Sequence, residues 1–447
     1  MASKSKSVAE SQIYDVDSSS TGSFDVPSGT TAQRPGSANS GQIRFNTTLD
    51  SLEFYDGNAW VPTNLVPNIS GITGSIKPGI ASNIVVAMTN FTSTVSIRFT
   101  PTGGSSVDVT GLTGASSLTV AVPSGIYNSY SAGNAVGIKV LNADGTQSNT
   151  VSTTIVTLPS GGTITTSGNF RIHKFTSSGN FVNTVANLGV EYLIVAGGGG
   201  GGGGFQSGGG GGGGFRTNVS GATSGRGASA EAAMTLSNAA TFAVTVGAGG
   251  AGGAAVTGTS ATAIGSQGGS SAFNSITSLG GGGGSSYWAN DASFTPPSAQ
   301  GMDGGCGGGA GDVPGDQSGG SGTAGQGYDG GDAIGYASPY SGGGGGGAGA
   351  AGGNTSSGVA GNGGNGQASS ITGSPVTYAG GGGGGGYQNS SGTGGTGGGA
   401  AGTTGTGTAI AGTDELGGGG GGIGNQGQAG GAGGSGIVIV RYDLTTF

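Results

Sequence analysis

One histidine, one cysteine and a scatter of aspartates are the residues of this 447-residue chain whose types suit a reaction or a metal, so their spacing is read first. His173 stands in FRIHKF, alternating with Arg171 and Phe175, and no neighbouring Ser or Cys completes a nucleophile–base set with it. A lone strand histidine of this kind is expected to be structural. Cys306 has no second cysteine to bridge with and cannot hold a metal alone. Asp303, Asp312, Asp316, Asp329 and Asp332 together have oxygens enough for Ca²⁺, but they lack the spacing of a calcium repeat. Small acidic residues beside glycine are expected to cap backbone amides instead. GxGxxG recurs by chance in such a sequence, and a phosphate loop also needs GK[ST], which cannot occur after Lys174, the last lysine. No pair of carboxylates is marked for glycoside cleavage. The chain reads as a non-enzyme with no metal and no cofactor.

Charge narrows the partners. The net charge is −8, and the 12 cations are spread thinly, with none between Arg226 and Arg441. A polyanion groove needs clustered Lys and Arg, so no nucleic-acid partner is expected for the glycine-rich half. The opening MASKSKSVAESQIYDVD has no apolar signal core, and no segment approaches eighteen non-glycine apolar residues. The expectation is a chain made in the cytoplasm.

The elements that must position any site fall into zones. Residues 1–40 are Ser/Thr-rich and read as an extended attachment segment. Residues 41–65 carry three short strands, at 42–46, 51–55 and 59–61, around the turn Asp56-Gly57. This meander is too small to stand alone, and Phe45, Leu52, Phe54 and Trp60 are its available core, so a homotrimer or other oligomer is expected to complete it. Residues 66–158 alternate in short apolar runs at 83–88, 95–99, 106–109, 117–122, 137–141 and 151–156, which predicts a β-sandwich.

Residues 159–447 hold most of the 114 glycines. They come in blocks, which excludes collagen, and strands recur before them: YLIVA before Gly197, FAVTV before Gly247, ITSL before Gly280, VTYA before Gly380, with GIVIVRY closing the chain. A flexible Gly/Ser linker has no use for those strands. The expected alternative is a lattice of extended three-fold helices packed backbone against backbone, with Phe205, Phe215, Tyr287 and Tyr387 at the helix ends. FRIHKF and FVNTV (181–185) are expected to form a hairpin. Tyr192–Ala196 and Ile437–Arg441 are expected in one sheet. The fold class is all-β throughout.

Three stretches resemble known families. PSGTTAQRPGSANSGQIRFNTTLDSLEFYDGNAWVP (27–62) resembles a module of fibre proteins from tailed bacteriophages, especially those of cyanobacteria. Residues 66–158, with Pro67, Ile72, Asn90-Phe91, Pro123 and Asn142-x-Asp144-Gly145, resemble an immunoglobulin-like domain of the transcription-factor and plexin type, without the Cys–Trp–Cys signature of antibodies. YLIVAGGGGGG and GGSGIVIVRY match the glycine-rich adhesin domains of phage tail fibres. These resemblances imply a virion fibre whose N-terminus meets other tail, neck or baseplate proteins and whose C-terminal loops bind a host polysaccharide or outer-membrane protein. A capsid or neck decoration fibre and a bacterial adhesion protein are the alternatives. The loops 285–300, 327–341 and 387–391 hold the receptor-binding candidates Tyr287, Trp288, Phe294, Tyr328, Tyr336, Tyr340 and Tyr387, since aromatics bring contact area at small entropy cost. Phe45, Phe54 and Trp60 are the attachment and oligomer candidates.

Overall fold

The computed structural model describes residues 26–446, save 49–50, 64–65, 238–239, 259, 261–262, 288–298, 335–339 and 389. It is all-β, and it divides into two compact units, residues 1–157 and 158–447.

The first unit opens with a four-stranded sheet of β1 (Ser28–Gly29), β2 (Ile43–Asn46), β3 (Ser51–Tyr55) and β4 (Trp60–Pro62), in that order. Its two faces are unlike. Arg44, Asn46, Ser51 and Glu53 are buried, and Glu53 takes ion pairs from Arg34 at 2.6 Å and Arg44 at 3.4 Å. Burial opposes ionisation of Glu53, yet hydrogen bonds from Arg34 and Asn46 and the field of both arginines hold its pKa below the ordinary value. Ile43 faces Phe54 across the ladder and Phe45 faces Leu52, so all four share the other face. There Ile43, Leu52 and Phe54 are 53%, 39% and 37% exposed.

The sandwich strands are β5 (Asn68–Thr73), β6 (Asn83–Thr89), β7 (Thr94–Pro101), β8 (Val107–Thr113), β9 (Ser117–Ala121), β10 (Ala135–Asn142) and β11 (Val151–Thr154), with one helical turn, α1 (Ser124–Tyr127). They make a three-stranded sheet β5-β6-β9 and a four-stranded sheet β11-β10-β7-β8. Ile84, Val86 and Met88 from one sheet and Ile97, Phe99, Ile138 and Val140 from the other belong to one buried core. The alternation of buried and exposed residues along β6, β7 and β10 is what period-two patterning demands. β5 is a strand that its sequence does not announce, because a register shift between Ile69 and Gly71 interrupts its alternation.

In the second unit β12 (Thr163–Ser167), β13 (Phe170–Phe175), β14 (Gly179–Val182), β15 (Leu188–Val195), β16 (Phe215–Thr217), β17 (Met234–Leu236), β18 (Thr241–Thr245), β19 (Ser271–Phe273), β20 (Ile276–Ser278), β21 (Gln367–Ser369), β22 (Val376–Tyr378) and β23 (Ile437–Asp443) frame the glycine runs. The main sheet runs β12-β13-β23-β15-β16, with β17 also on β15. Tyr192 stands opposite Val440, so the two apolar strands that bracket the glycine region do lie side by side. The expected 170–175/181–185 hairpin does not form. β13 is flanked by β12 and β23, which leaves it no free edge, and β14 pairs with β18 instead.

The glycine runs are neither coil nor sheet. Gly197, Gly200 and Gly203 donate to the carbonyls of Gly269, Ser266 and Ala263, while Gly198, Gly201 and Gly204 donate to Gly434, Gly431 and Gln428. Gly199 and Gly202 donate to Gly211 and Gly208. The next run repeats the rule. Gly208, Gly211 and Gly214 reach Ser285, Gly282 and Leu279; Gly209 and Gly212 reach Gly343 and Gly346; Gly210 and Gly213 reach Gly420 and Gly417. All these bonds are 2.8–3.0 Å long. A partner that changes with every residue and returns every third is the signature of a three-fold extended helix. Each such helix donates to three neighbouring runs and accepts from others, as Gly197 does from Gly281 and Gly198 from Gly250. Backbones can approach this closely only where there is no Cβ, so the bare backbone is the core.

The pure glycine blocks, Gly197–Gly203 and Gly208–Gly214, are buried along their whole length. Outer helices instead read xGGxGG. Ala248 and Ala251, Asn362 and Asn365, Thr393 and Thr396, and Ala429 and Ala432 are the exposed positions, three apart, and the glycines between them turn inward. At this rim, side-chain oxygens replace absent backbone neighbours: Asn362 accepts from Thr393 N–H at 2.8 Å, and Asn365 accepts from Thr396 N–H at 3.1 Å.

Candidate functional site

The turn that joins the two inner helices builds a tip. Gly197–Gly203 ends at Gly204, and the chain reverses through Phe205, Gln206 and Ser207 into Gly208. Gln206 takes a left-handed φ of 45°. Tyr287 N–H and the Ser286 hydroxyl both donate to the Phe205 carbonyl, at 3.0 and 3.2 Å, which ties the 285–287 segment to this turn. Asp312 N–H donates to the Gln206 carbonyl at 3.2 Å, and the Asp312 carboxylate accepts Ser341 N–H at 3.0 Å. Tyr387 N–H donates to the Tyr340 carbonyl at 3.0 Å. Five separated segments thus meet at one end of the lattice.

Aromatic rings gather on that frame. Phe205 meets Tyr287 edge to face with centroids 5.7 Å apart, and meets Tyr387 likewise at 5.2 Å. Tyr287, Tyr340 and Tyr387 are each half-buried, so part of each side chain faces solvent. Gln206 is fully buried, and among the described residues neither atom of its carboxamide has a hydrogen-bond partner, nor does the buried Ser285 hydroxyl. Orphaned buried polar groups and a left-handed non-glycine residue both cost stability, and such costs concentrate where a protein binds something. Burial pushes the Asp312 carboxyl up to about 6, against the partial relief of the Ser341 N–H.

The receptor candidates separate. Tyr287, Tyr340 and Tyr387 are brought together at the tip. Trp288, Phe294 and Tyr336 lie outside the described residues. Tyr328 is at the other end of the lattice, where its N–H bonds Gly347 and the Arg226 guanidinium sits 5.5 Å from its ring centre while pairing with Asp329. In the meander, Phe45 and Phe54 share the apolar face, whereas Trp60 is opposite Tyr55 on the polar face, its ring 5.8 Å from the Arg44 guanidinium. Gln206 escaped sequence reasoning, since a polar residue between glycine blocks looks like an ordinary turn.

The remaining chemistry-bearing residues are absorbed into structure. His173 is fully buried between Phe181 and Tyr442, with Nδ1 2.8 Å from the Gly161 carbonyl, and burial pushes it down to about 4. Cys306 is buried in the lattice, its thiol pushed up to about 12, with Sγ 3.5 Å from the Gly213 carbonyl. Asp303, Asp329 and Asp332 accept the backbone N–H groups of Ser321, Gly322 and Gly319 at 2.6–2.9 Å, the capping expected of them. Among the described residues no three His, Cys, Asp or Glu side chains converge as a metal site.

No curated protein matches the chain. Residues 176–443 match the family described as "Glycine-rich domain", a span that takes in the strands from β14 to β23, the lattice and the tip. The chain belongs to that glycine-rich domain family.

Proposed function

We propose that the chain is a fibre protein of a tailed-bacteriophage virion. It attaches to the particle by its N-terminal segment and binds a host-surface receptor, without catalysis, through the tip of the glycine-rich unit. The observation that carries this reading is the convergence of Phe205, Tyr287, Tyr340 and Tyr387 at the turn whose buried Gln206 carboxamide has no partner among the described residues. Half-exposed tyrosines suit stacking on sugar rings, which favours a surface polysaccharide over an outer-membrane protein as the receptor. The sandwich, with its three- and four-stranded sheets, serves as an immunoglobulin-like domain that sets length. The one-sided meander suits a homotrimer.

Two measurements test this. Antibody raised against the chain is expected to label fibres on intact phage particles. Binding of the fluorescent protein to host cells is expected to fall at least tenfold in the Tyr287→Ala/Tyr387→Ala double variant, a loss of roughly 1.4 kcal/mol, with its melting curve unchanged. Undiminished binding by the folded variant would remove the tip from the reading.

A further inference from the structure

The outward face of the four-stranded sheet in the sandwich carries a trough of about 570 Å³. Its construction follows from strand register. Gly137 on β10 stands between Ser152 on β11 and Thr100 on β7, so the middle of that row has no side chain and forms a floor. In the next row Lys139 stands directly opposite Arg98. Both cations line the trough with Thr100, Ser152 and Gln147, and among the described residues no carboxylate lines it. Asp108, on the far side of Arg98, holds the guanidinium through Nε and Nη2 at 2.8 and 2.7 Å and leaves Nη1 over. Lys139 Nζ is 3.3 Å from Gln147 Oε1, one bond for three donors.

Two features of this face have no use in a spacer. Like charges placed directly across a ladder destabilise it, and this chain spends two of only 12 cations that way while carrying a net charge of −8. The glycine in mid-strand gives up packing and conformational stability on a β10 that otherwise alternates cleanly. Together they make a concave, hydroxyl-lined, cationic surface within the size range of small-ligand sites.

We propose that this trough binds an acidic oligosaccharide, with a sugar carboxylate between Lys139 Nζ and Arg98 Nη1 and ring hydroxyls on Thr100, Ser152 and Gln147. Among the described residues no aromatic side chain lines it, so they offer single-stranded nucleic acid no stacking platform. The site is independent of the tip and does not rest on the function proposed for it.

The test uses the full-length protein and isothermal titration with trigalacturonate, maltotriose and an oligothymidylate. Saturable binding of trigalacturonate with Kd on the order of 1 mM or tighter is expected, and roughly tenfold weaker binding of maltotriose. Lys139→Gln is expected to weaken trigalacturonate roughly tenfold with an unchanged melting temperature. Gly137→Val, whose Cβ would sit 3.0 Å from Thr150 Cγ2 and fill the floor, is expected to abolish binding. Tyr387→Ala should leave this binding untouched, which separates it from recognition at the tip. Absence of saturable trigalacturonate binding, equal affinity for maltotriose, indifference to Lys139→Gln, or preference for oligothymidylate would each overturn the proposal.

Discussion

The carbonyl oxygen of Cys306 occupies the place where a side chain on Gly211 would begin. Nothing there can yield except backbone, and that backbone is held by its own lattice bonds, Cys306 N–H to Gly212 and Cys306 C=O to Gly282. Gly211→Ala is therefore expected to destabilise the second unit by about 1–3 kcal/mol in thermal melts, and Gly211→Val by more. Gly258, exposed and with nothing within 4 Å of a built Cβ, is the contrasting position, where alanine should be neutral or slightly stabilising. Gly392 sits in a Ser/Thr-diluted stretch, where a linker-like glycine would be expected, and is itself in the lattice. A Cβ there would meet the Gly361 carbonyl. Equal shifts at Gly211 and Gly258 would mean the glycines are not a core.

Deleting residues 437–447 should unfold the second unit. β23 lies between β13 and β15 and contributes Val438, Ile439 and Val440, each fully buried. Its loss exposes the inner edges of both neighbours. A truncated protein that melted cooperatively at the original temperature would count against this role.

Much of this architecture was legible. Six of the seven sandwich strands follow from period-two alternation, and the strands before the glycine blocks are where their apolar runs place them. The pairing of Tyr192–Ala196 with Ile437–Arg441 followed from two apolar strands that both needed cover. Pairing partners elsewhere were less legible. The neighbours of β13 are set by distant β23, and a local Ser-Ser-Gly turn signal said nothing about that competition. The tip was half legible, because aromatic content marks loops but not which loops meet. Five segments far apart in sequence converge there only through lattice register. The xGGxGG period of the outer helices was present in the sequence and hidden by the longer pure blocks beside it.

Two buried groups should pull stability in opposite directions with pH. His173, held near 4 against an ordinary 6.5, stabilises fully above 6.5, and this is lost as pH falls toward 4, by about 3 kcal/mol. Asp312, raised to about 6 from 3.8, contributes fully below 3.8 and loses that contribution as pH rises through 6. Wild-type melting should thus vary little across this window. Relative to wild type, His173→Phe should gain stability at pH 4 over pH 7, and Asp312→Asn should gain at pH 7 over pH 4. Parallel pH profiles for all three proteins would refute the assignment.

The apolar face of the meander should be covered in solution. Light scattering of the full chain is expected to give a trimer, and Leu52→Glu/Phe54→Glu, which puts charge on that face without touching the Arg34–Glu53–Arg44 network, is expected to give a monomer. A wild-type monomer would sink this expectation.

The three-residue beat of the outer helices has a consequence for how such a domain can change. Three residues added to an outer run lengthen it by one turn and keep every later glycine facing the same neighbouring run, one turn further along. One or two residues added rotate Asn362 or Ala432 toward the interior and turn glycines out to water. Length variation among descendants of this chain is thereby confined to triplets of amino acids within helices and to free insertions at the loops, and outward alanines such as Ala248 and Ala432 are free to drift, whereas Asn362 and Asn365 are held to their places by the N–H groups of Thr393 and Thr396.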